Sequence, residues 1–458
     1  MAVLGLVSSM LLTRILDPTE FGLYGILISF ASTAIMLISF GFDSAYTRFY
    51  YMHGLRQKEF MKMCIKYPLI LFGVFAIIML EPTLSVAKFF FDENIGYLTV
   101  IFIVIFVLWD FLHKFSQLTA RMEEYAVNYT LSNILAKGGF LAFAFVLFLS
   151  FKKVEFDGIV LCCALASFCA VLCNLLVFAK VANKKSDSDA SVSIKEMFTY
   201  GMPYMINNVL VLIIPLAEKI IIKKLIGETE LGIFTAAAIF QTVILLLTNT
   251  LINIWNPLVY KHCENKKVFK PILHNFGLCA TIVSSVGLAF CILLRRWLVL
   301  LLGANYFSVY IIAPSVLFGA LYHILTIIYS VGINIEKKTY HFIISPIIQA
   351  VVSFILCFLL IPKFGLCGIA LASLASLIIS KTYRIAVGLY YYDSGKSEIK
   401  TIILCSLCII ASVFSMFSLN IASDCAVFAI LIASTLIVTG KELLPLIKSM
   451  IGLIKPQK

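Results

Sequence analysis

The chain has 458 residues, of which 61% are hydrophobic and 13% are charged, and its mean hydropathy is +1.02. A soluble domain of this length carries about twice that charged fraction, so the composition excludes an ordinary soluble protein. The net charge of +12 does not indicate nucleic-acid binding, because the basic residues follow the loops between apolar segments.

Long apolar segments recur from one end of the chain to the other. Most contain about 20 residues, which is enough for a helix to span a hydrocarbon core of about 30 Å. Backbone groups in lipid must bond to one another, and helices achieve this within each segment. The sequence therefore predicts an all-α integral membrane protein with about 14 transmembrane helices. The predicted segments are 1–13, 23–42, 68–91, 97–113, 128–151, 157–179, 198–222, 231–257, 273–294, 306–333, 340–361, 365–390, 401–419 and 424–447.

The distribution of Lys and Arg predicts the topology. If the termini lie on one side, the loops on that side hold 25 of the 36 basic residues. The positive-inside rule then places both termini in the cytoplasm of a multi-pass inner-membrane protein. The loops on that side are 44–66, 114–127, 180–197, 258–272, 334–341, 381–400 and 441–458.

The first apolar segment is short. As a helix, residues 1–13 reach only about 20 Å, and no basic region or cleavage site indicates a signal peptide. Either the first helix is a half-helix or the chain begins upstream of Met1, and we favour the second alternative.

Two pairs of stretches match at a shared offset of 210 residues. LLTRILDPTEFGLY (11–24) matches IIKKLIGETELGIF (221–234), and DGIVL (157–161) matches CGIAL (367–371). Each repeat contains an even number of helices, so both repeats run in the same direction. Parallel repeats of this kind build transporters that bind substrate between two lobes.

The repeat predicts the domain organisation. Residues 1–180 form an N-terminal six-helix lobe with a truncated first helix, and residues 198–390 form a C-terminal six-helix lobe. A polar cytoplasmic linker, 181–197, joins them. Residues 391–458 add two extra helices and a cytoplasmic tail outside the repeat.

Ionisable residues within apolar segments mark cavities or internal partners, because each costs about 2.5–3.5 kcal/mol near the bilayer centre. Lys137 lies about two turns into its segment and precedes two glycines, which permit close helix packing. Glu218 and Lys219 are adjacent, so they need separate partners or a cavity. Pro203 and Pro215 interrupt the same segment and predict a broken helix that lines a substrate path.

Asp43 and Asp110 are candidate ion-coupling residues. Each has a counter-charge nearby in sequence, Arg48 for Asp43 and Lys114 for Asp110. We interpret Asp110 as structural, whereas Asp43 is either structural or a proton or cation site. Arg48 is either an interfacial anchor or a phosphate contact, since its planar group donates two parallel hydrogen bonds.

No cofactor is predicted. Nearly all of the 13 cysteines lie within apolar segments, and we interpret them as small apolar residues that pack between helices. The histidines form no metal-binding pattern, and no phosphate-binding glycine loop indicates an ATPase. Transport energy must then come from an ion gradient or from removal of the product.

Several motifs resemble those of the polysaccharide biosynthesis and O-antigen flippase family. TRILDPTEFGLYGILISFAS (13–32) resembles its first-loop signature, and GFDSAYTRFYY (41–51) resembles the element that follows. YGMPYMI (200–206) is similar to the start of the family's seventh helix. Glu218 and Lys219 stand where the family usually has Asp and Arg.

The resemblance implies the multidrug/oligosaccharidyl-lipid/polysaccharide exporter fold and a cationic central cavity. It implies export of undecaprenyl-diphosphate-linked oligosaccharide for O-antigen, lipopolysaccharide, capsule or exopolysaccharide. Arg48, Lys137, Glu218 and Lys219 are then candidate substrate contacts. A polysaccharide polymerase and a chain-length regulator are candidate partners, beside the lipid-linked substrate and membrane lipids.

Arg14 and Lys224 occupy matching outer positions in the two repeats. They are either interfacial anchors or contacts for the substrate head group on exit. The main alternative function is cation-coupled multidrug export by the same fold, which requires acidic cavity residues, and Asp43, Asp110 and Glu218 are the candidates. A membrane enzyme such as a polymerase would need a longer outer loop than the one that holds Arg295 and Arg296.

Overall fold

The computed structural model describes residues 2–51, 57–81, 86–91, 95–182, 193–394, 398–418 and 420–454. Every regular element within these residues is helical. The helices are α1 (Ala2–Ile15), α2 (Pro18–Ser39), α3 (Phe42–Phe49), α4 (Gln57–Leu80), α5 (Val86–Phe90), α6 (Tyr97–Met122), α7 (Ala126–Phe151), α8 (Phe156–Ala182), α9 (Ile194–Leu225), α10 (Glu228–His262), α11 (Lys266–Val299), α12 (Val309–Tyr329), α13 (Val331–Ile335), α14 (His341–Phe364), α15 (Leu366–Tyr391), α16 (Ile399–Phe417) and α17 (Ile421–Ile454).

The predicted fold class is confirmed. Within the described ranges, 13 helices are long and apolar enough to cross a membrane, and α1 is a shorter apolar helix. This number agrees with the prediction of about 14, and the protein is a multi-pass membrane protein.

Two details of the helix prediction were wrong. The predicted segment 68–91 begins 11 residues too late, because α4 starts at Gln57 and ends at Leu80. Its first turns carry Lys and Glu, which an apolar window excludes. The predicted break in α9 is also absent, since the helix continues through Pro203 and Pro215.

Local sequence signals explain where α2 and α9 begin and end. Asp17 is extended, Pro18 opens α2, and the helix ends where Phe40 takes a left-handed conformation with φ of 44°. α9 begins with a capping box in which Ser193 and Glu196 bond to each other's backbone amides.

The chain divides into two compact units, Met1–Thr235 and Ala236–Lys458. In the first unit α6, α7 and α8 pack together, and α2 packs along α9. In the second unit α14 pairs with α15, and a core around Trp255, Phe276 and Phe318 joins α10, α11 and α12. The domain boundaries inferred from the repeat stay a prediction, and residues 183–192 of the predicted linker lie outside the described residues.

Candidate functional site

The first turns of α2 and α10 meet through two glycines. A Cβ on Gly232 would lie 1.8 Å from the carbonyl oxygen of Pro18, and a Cβ on Gly22 would lie 2.8 Å from that of Glu228. Real Cβ atoms essentially never approach other atoms to within 3.0 Å, so neither position accepts a side chain without backbone movement. Glycine is therefore what allows the two helix starts to touch.

The same contact joins residues that match in the sequence repeat. The hydroxyl oxygens of Thr19 and Thr229 lie 3.4 Å apart, and these residues are separated by 210 positions. Gly22 and Gly232 share that offset. The contact between α2 and α10 therefore joins equivalent residues of the two matching stretches.

Lys219 joins α9 to α2 close to this contact. Its Nζ donates to the carbonyl oxygen of Gly25 at 2.9 Å and to Oγ of Ser29 at 2.6 Å. Glu218 is buried, with 7% of its surface exposed, and it interacts electrostatically with Lys219. Lys219 therefore links α9 to α2 through two hydrogen bonds.

The other end of α9 packs against the end of α2 and the start of α3. A Cβ on Gly41 would lie 2.3 Å from the backbone of Gly201, so the chains touch at two glycines. The rings of Phe40 and Phe198 lie 5.1 Å apart. Arg48 is exposed on α3 and interacts electrostatically with Tyr200 of α9.

The predicted ion pair between Asp43 and Arg48 is not the one that forms. Asp43 pairs with Lys114 instead, with Nζ and Oδ2 2.7 Å apart. Asp110, which was expected to pair with Lys114, accepts a hydrogen bond from Ser167 and interacts with Lys114 electrostatically. Helix α6 therefore supplies the counter-charge of α3, a long-range contact that spacing along the chain cannot indicate.

The remaining predicted residues of the first unit are exposed. Lys137 is exposed on α7, and its Nζ would lie 3.1 Å from a Cβ on Gly5 of α1. Arg14 is exposed at the end of α1. Lys224 is exposed at the end of α9, where its Nζ lies 3.9 Å from the ring centre of Phe89.

In the second unit, Arg295 is a buried structural cation. Its Nε and Nη2 bond to the two carboxylate oxygens of Asp424 at 3.0 and 2.7 Å, and its Nη2 also bonds to the carbonyl oxygen of Ser418 at 2.7 Å. Nη1 donates to the carbonyl oxygen of Ser415. With its guanidinium bonded in this way, Arg295 is an anchor for α16 and α17.

Sequence reasoning missed one cluster. Lys381 and Arg384 were counted with the predicted loop 381–400, which overlaps the predicted segment 365–390, and α15 continues to Tyr391 and includes both. His323 of α12 interacts electrostatically with both residues. Their spacing of three residues is a helical signal that was available from the sequence.

The described residues contain no cluster of three or more His, Cys, Asp or Glu that could hold a metal ion. All 13 cysteines are free.

Solved transporters share this fold. The lipid II flippase MurJ in an inward closed conformation aligns with a TM-score of 0.72 and 16% identity, over 97% of this chain and 97% of MurJ. An inward-facing multidrug resistance MATE family transporter of the MOP superfamily aligns with a TM-score of 0.66 and 15% identity, over 86% of this chain and 94% of that transporter. A MATE transporter from Vibrio cholerae aligns with a TM-score of 0.50 and 13% identity, over 82% and 88% of the two chains.

These observations define a multi-pass membrane protein with the fold of MurJ and the MATE transporters. A family model described as polysaccharide biosynthesis protein matches residues 1–262, which is more than half of the chain. The chain belongs to this polysaccharide biosynthesis protein family, as its motifs predicted. No curated protein matches it in sequence.

Proposed function

We propose that the protein is a flippase for an undecaprenyl-diphosphate-linked oligosaccharide, a repeat unit of O-antigen, capsule or exopolysaccharide. The observation that carries the proposal is Lys219, a half-buried cation of a membrane-spanning helix whose hydrogen-bond acceptors on α2 are neutral. Membership of a polysaccharide biosynthesis family supports a sugar substrate. The shared fold with a lipid II flippase supports a lipid-linked one.

The bonds of Lys219 explain how a diphosphate would act on the protein. A lysine ammonium has three donors, and Gly25 and Ser29 take two of them. A phosphate oxygen is a stronger acceptor than a carbonyl or a hydroxyl, because hydrogen bonds between charged groups are about twice as strong. A diphosphate therefore competes with α2 for Lys219 and loosens the α2–α9 contact as it binds.

The other cations give the substrate a path in this proposal. Arg48 lies at the cytoplasmic end of α9 and binds the diphosphate first, and Lys137 provides a further positive charge beside α1. Arg14 and Lys224 contact the head group at the outer face as it leaves. The polyprenyl chain stays in the lipid throughout.

Alternating access follows from the glycine contact between α2 and α10. In the proposed topology, with both termini in the cytoplasm of the inner membrane, this contact closes the outer side. Opening it releases the oligosaccharide outward, where a polymerase and a chain-length regulator receive it. The protein moves its substrate without changing any covalent bond, so it acts as a transporter and not as an enzyme.

Cation-coupled multidrug export is the alternative for a chain with this fold. Such a mechanism needs a carboxylate that is free to exchange protons or cations. Asp43 is already held by Lys114 at 2.7 Å, and Asp110 by Ser167. These contacts favour structural roles for both aspartates, which leaves Glu218 as the candidate carboxylate of the multidrug alternative.

The proposal is tested with the purified full-length protein in liposomes that contain a fluorescent oligosaccharide-diphosphate-polyprenol. Flipping is measured as the rate at which label reaches a membrane-impermeant quencher. We expect Lys219→Gln to slow this rate at least about tenfold, since a hydrogen bond to a charged group contributes about 1.5–3 kcal/mol and 1.4 kcal/mol is a factor of ten. Lys219→Arg keeps the charge and should retain most of the activity.

Lys195→Gln is the matched control, because Lys195 is an exposed lysine on the same helix. It should flip at the rate of the unaltered protein. Equal rates for Lys219→Gln and the unaltered protein would refute the role of Lys219. Dye efflux from cells combined with no flipping in liposomes would establish the multidrug alternative.

A further inference from the structure

Lys381 and Arg384 lie on one face of α15, since residues three apart are neighbours on a helix. That face packs toward α12, where a Cβ on Gly319 would lie 3.5 Å from Cδ1 of Leu377. His323 of α12 interacts electrostatically with both cations, and the cations interact with each other. Three basic side chains therefore converge inside the membrane-spanning part of the second unit.

The surrounding helices provide no counter-charge. Neither α12, α14 nor α15 contains an Asp or a Glu. Beyond the end of α15, Asp393 pairs with Lys270 at 3.3 Å and Glu398 contacts His274 at 3.0 Å, and Glu336, before α14, is exposed. Among the described residues, no ion pair forms at Lys381 or Arg384.

Buried polar atoms in the cluster lack a hydrogen-bond partner. Nε of Arg384 and Nδ1 of His323 are both buried and unbonded. The guanidinium of Arg384 lies over the ring of Phe342, 4.5 Å from its centre, which fixes its plane but satisfies none of its donors. All three basic side chains remain partly exposed, so a ligand can reach them.

The equivalent positions of the first repeat carry different residues from Lys381 and Arg384. The offset of 210 places His113 opposite His323, Val171 opposite Lys381 and Asn174 opposite Arg384. The histidine is shared, whereas both cations are replaced by neutral residues, and Asn174 donates to Ser116 at 3.0 Å. The cations are therefore not required by the helix packing.

We propose that His323, Lys381 and Arg384 form a binding site for a phosphate or diphosphate group. Arginine donates two parallel hydrogen bonds to phosphate oxygens, and lysine adds a point charge. The histidine ring donates a further hydrogen bond. The site stands on its own geometry, and only its identification with the exported diphosphate rests on the proposed function.

The experiment measures binding of farnesyl diphosphate and of inorganic pyrophosphate to the full-length protein in nanodiscs of phosphatidylcholine. Every protein in this experiment, including the parent, also carries Lys219→Gln, so that Lys219 of α9 does not contribute to the measured binding. The test variant combines Lys381→Val with Arg384→Asn, the residues that the first repeat carries. We expect the affinity of this double variant for farnesyl diphosphate to fall at least about tenfold. Arg384→Lys should lower the affinity less, because it keeps the charge and loses only the planar donors.

Lys363→Gln is the matched control, because it removes an exposed lysine of the same unit. Its affinity should equal that of the parent protein. The double variant should also keep or raise its thermal unfolding midpoint, since it removes two charges that lack counter-charges. Undiminished affinity in a folded double variant, or a lowered midpoint that shows a structural role, would overturn the proposal.

A second arm separates the two sources of phosphate. If phosphatidylglycerol added to the nanodisc competes with farnesyl diphosphate, the site takes a lipid headgroup; without competition it takes the diphosphate. Both results support a phosphate site. Flipping is measured on the protein that keeps Lys219. Binding without flipping then refutes the proposed function and leaves the site, whereas flipping without binding refutes the site alone.

Discussion

Charged side chains within the helices of this protein are stabilised in different ways. Lys114 pairs with Asp43, and Arg295 with Asp424. Lys219 bonds to neutral oxygens on a neighbouring helix. A cation that is paired internally contributes to the fold, whereas one that is bonded weakly or not at all remains available to a ligand.

The Asp43–Lys114 pair should contribute measurably to stability, because the two side chains are only 12% and 30% exposed. We expect Asp43→Asn and Lys114→Met each to lower the free energy of unfolding by about 1–3 kcal/mol, since each leaves one charge without its partner. The double variant should recover part of that loss. A double-mutant cycle on thermal unfolding in detergent measures the coupling.

The control is the exposed pair of Lys270 with Asp393, whose side chains are 35% and 66% exposed. Exposed pairs contribute about 0–1 kcal/mol. A coupling energy for Asp43 and Lys114 no larger than that of this pair would contradict the prediction.

At the residue scale, the sequence predicted which groups lie in the membrane better than it predicted their partners. Lys219 was recognised as an intramembrane cation, but its partner is the carbonyl oxygen of Gly25, almost two hundred positions away. Lys381 and Arg384 fell where the predicted segment 365–390 overlaps the predicted loop 381–400, and they were not recognised as a pair. Partners depend on helix packing, which spacing along one chain does not specify.

At the element scale, length and apolar composition were enough to predict the spanning helices. They failed at α4, whose first turns are charged, and at α9, where proline was expected to break the helix. In a membrane-spanning helix, neighbouring groups compensate for the bond that a proline removes. A proline is therefore a weaker sign of a break in lipid than in water.

Helix α16 is anchored at its start by Glu398. The carboxylate lies 3.0 Å from Nδ1 of His274 and accepts a hydrogen bond from Tyr329 at 2.6 Å. Burial raises the pKa of Glu398, but hydrogen bonds from His274, Tyr329 and Ser394 outweigh it, so that the pKa lies below its ordinary value of 4.5. The ionised form therefore stabilises the folded state.

This lowered pKa predicts a loss of stability in acid. The stabilisation is fully present above the unfolded pKa and is lost as the pH falls through the folded pKa. The thermal unfolding midpoint should decrease as the pH falls below about 4.5, and the decrease should be smaller in Glu398→Gln. The same acid response in both proteins would show that Glu398 is not its source.

At the scale of the whole molecule, the sequence repeat matched two residues that the structure brings into contact, although no contact between them was predicted. The stretches 11–24 and 221–234 were matched by their residues alone, and Thr19 and Thr229 prove to be neighbours. Glycine occupies both copies of the position where the helix starts come closest, Gly22 and Gly232. A repeat preserves such a contact because both partners derive from the same position of the unit.

If the Thr19–Thr229 contact must open for transport, a covalent link across it should stop flipping. The hydroxyl oxygens are 3.4 Å apart, so Thr19→Cys and Thr229→Cys together bring two sulfur atoms within reach of a disulfide. We expect oxidation to reduce the flipping rate of the double variant to that of empty liposomes, and reduction to restore it. Each single variant should flip at a rate that oxidation does not change. A cross-linked protein that still flips would place the moving contact elsewhere, because a disulfide holds the two helix starts together through every step of the cycle.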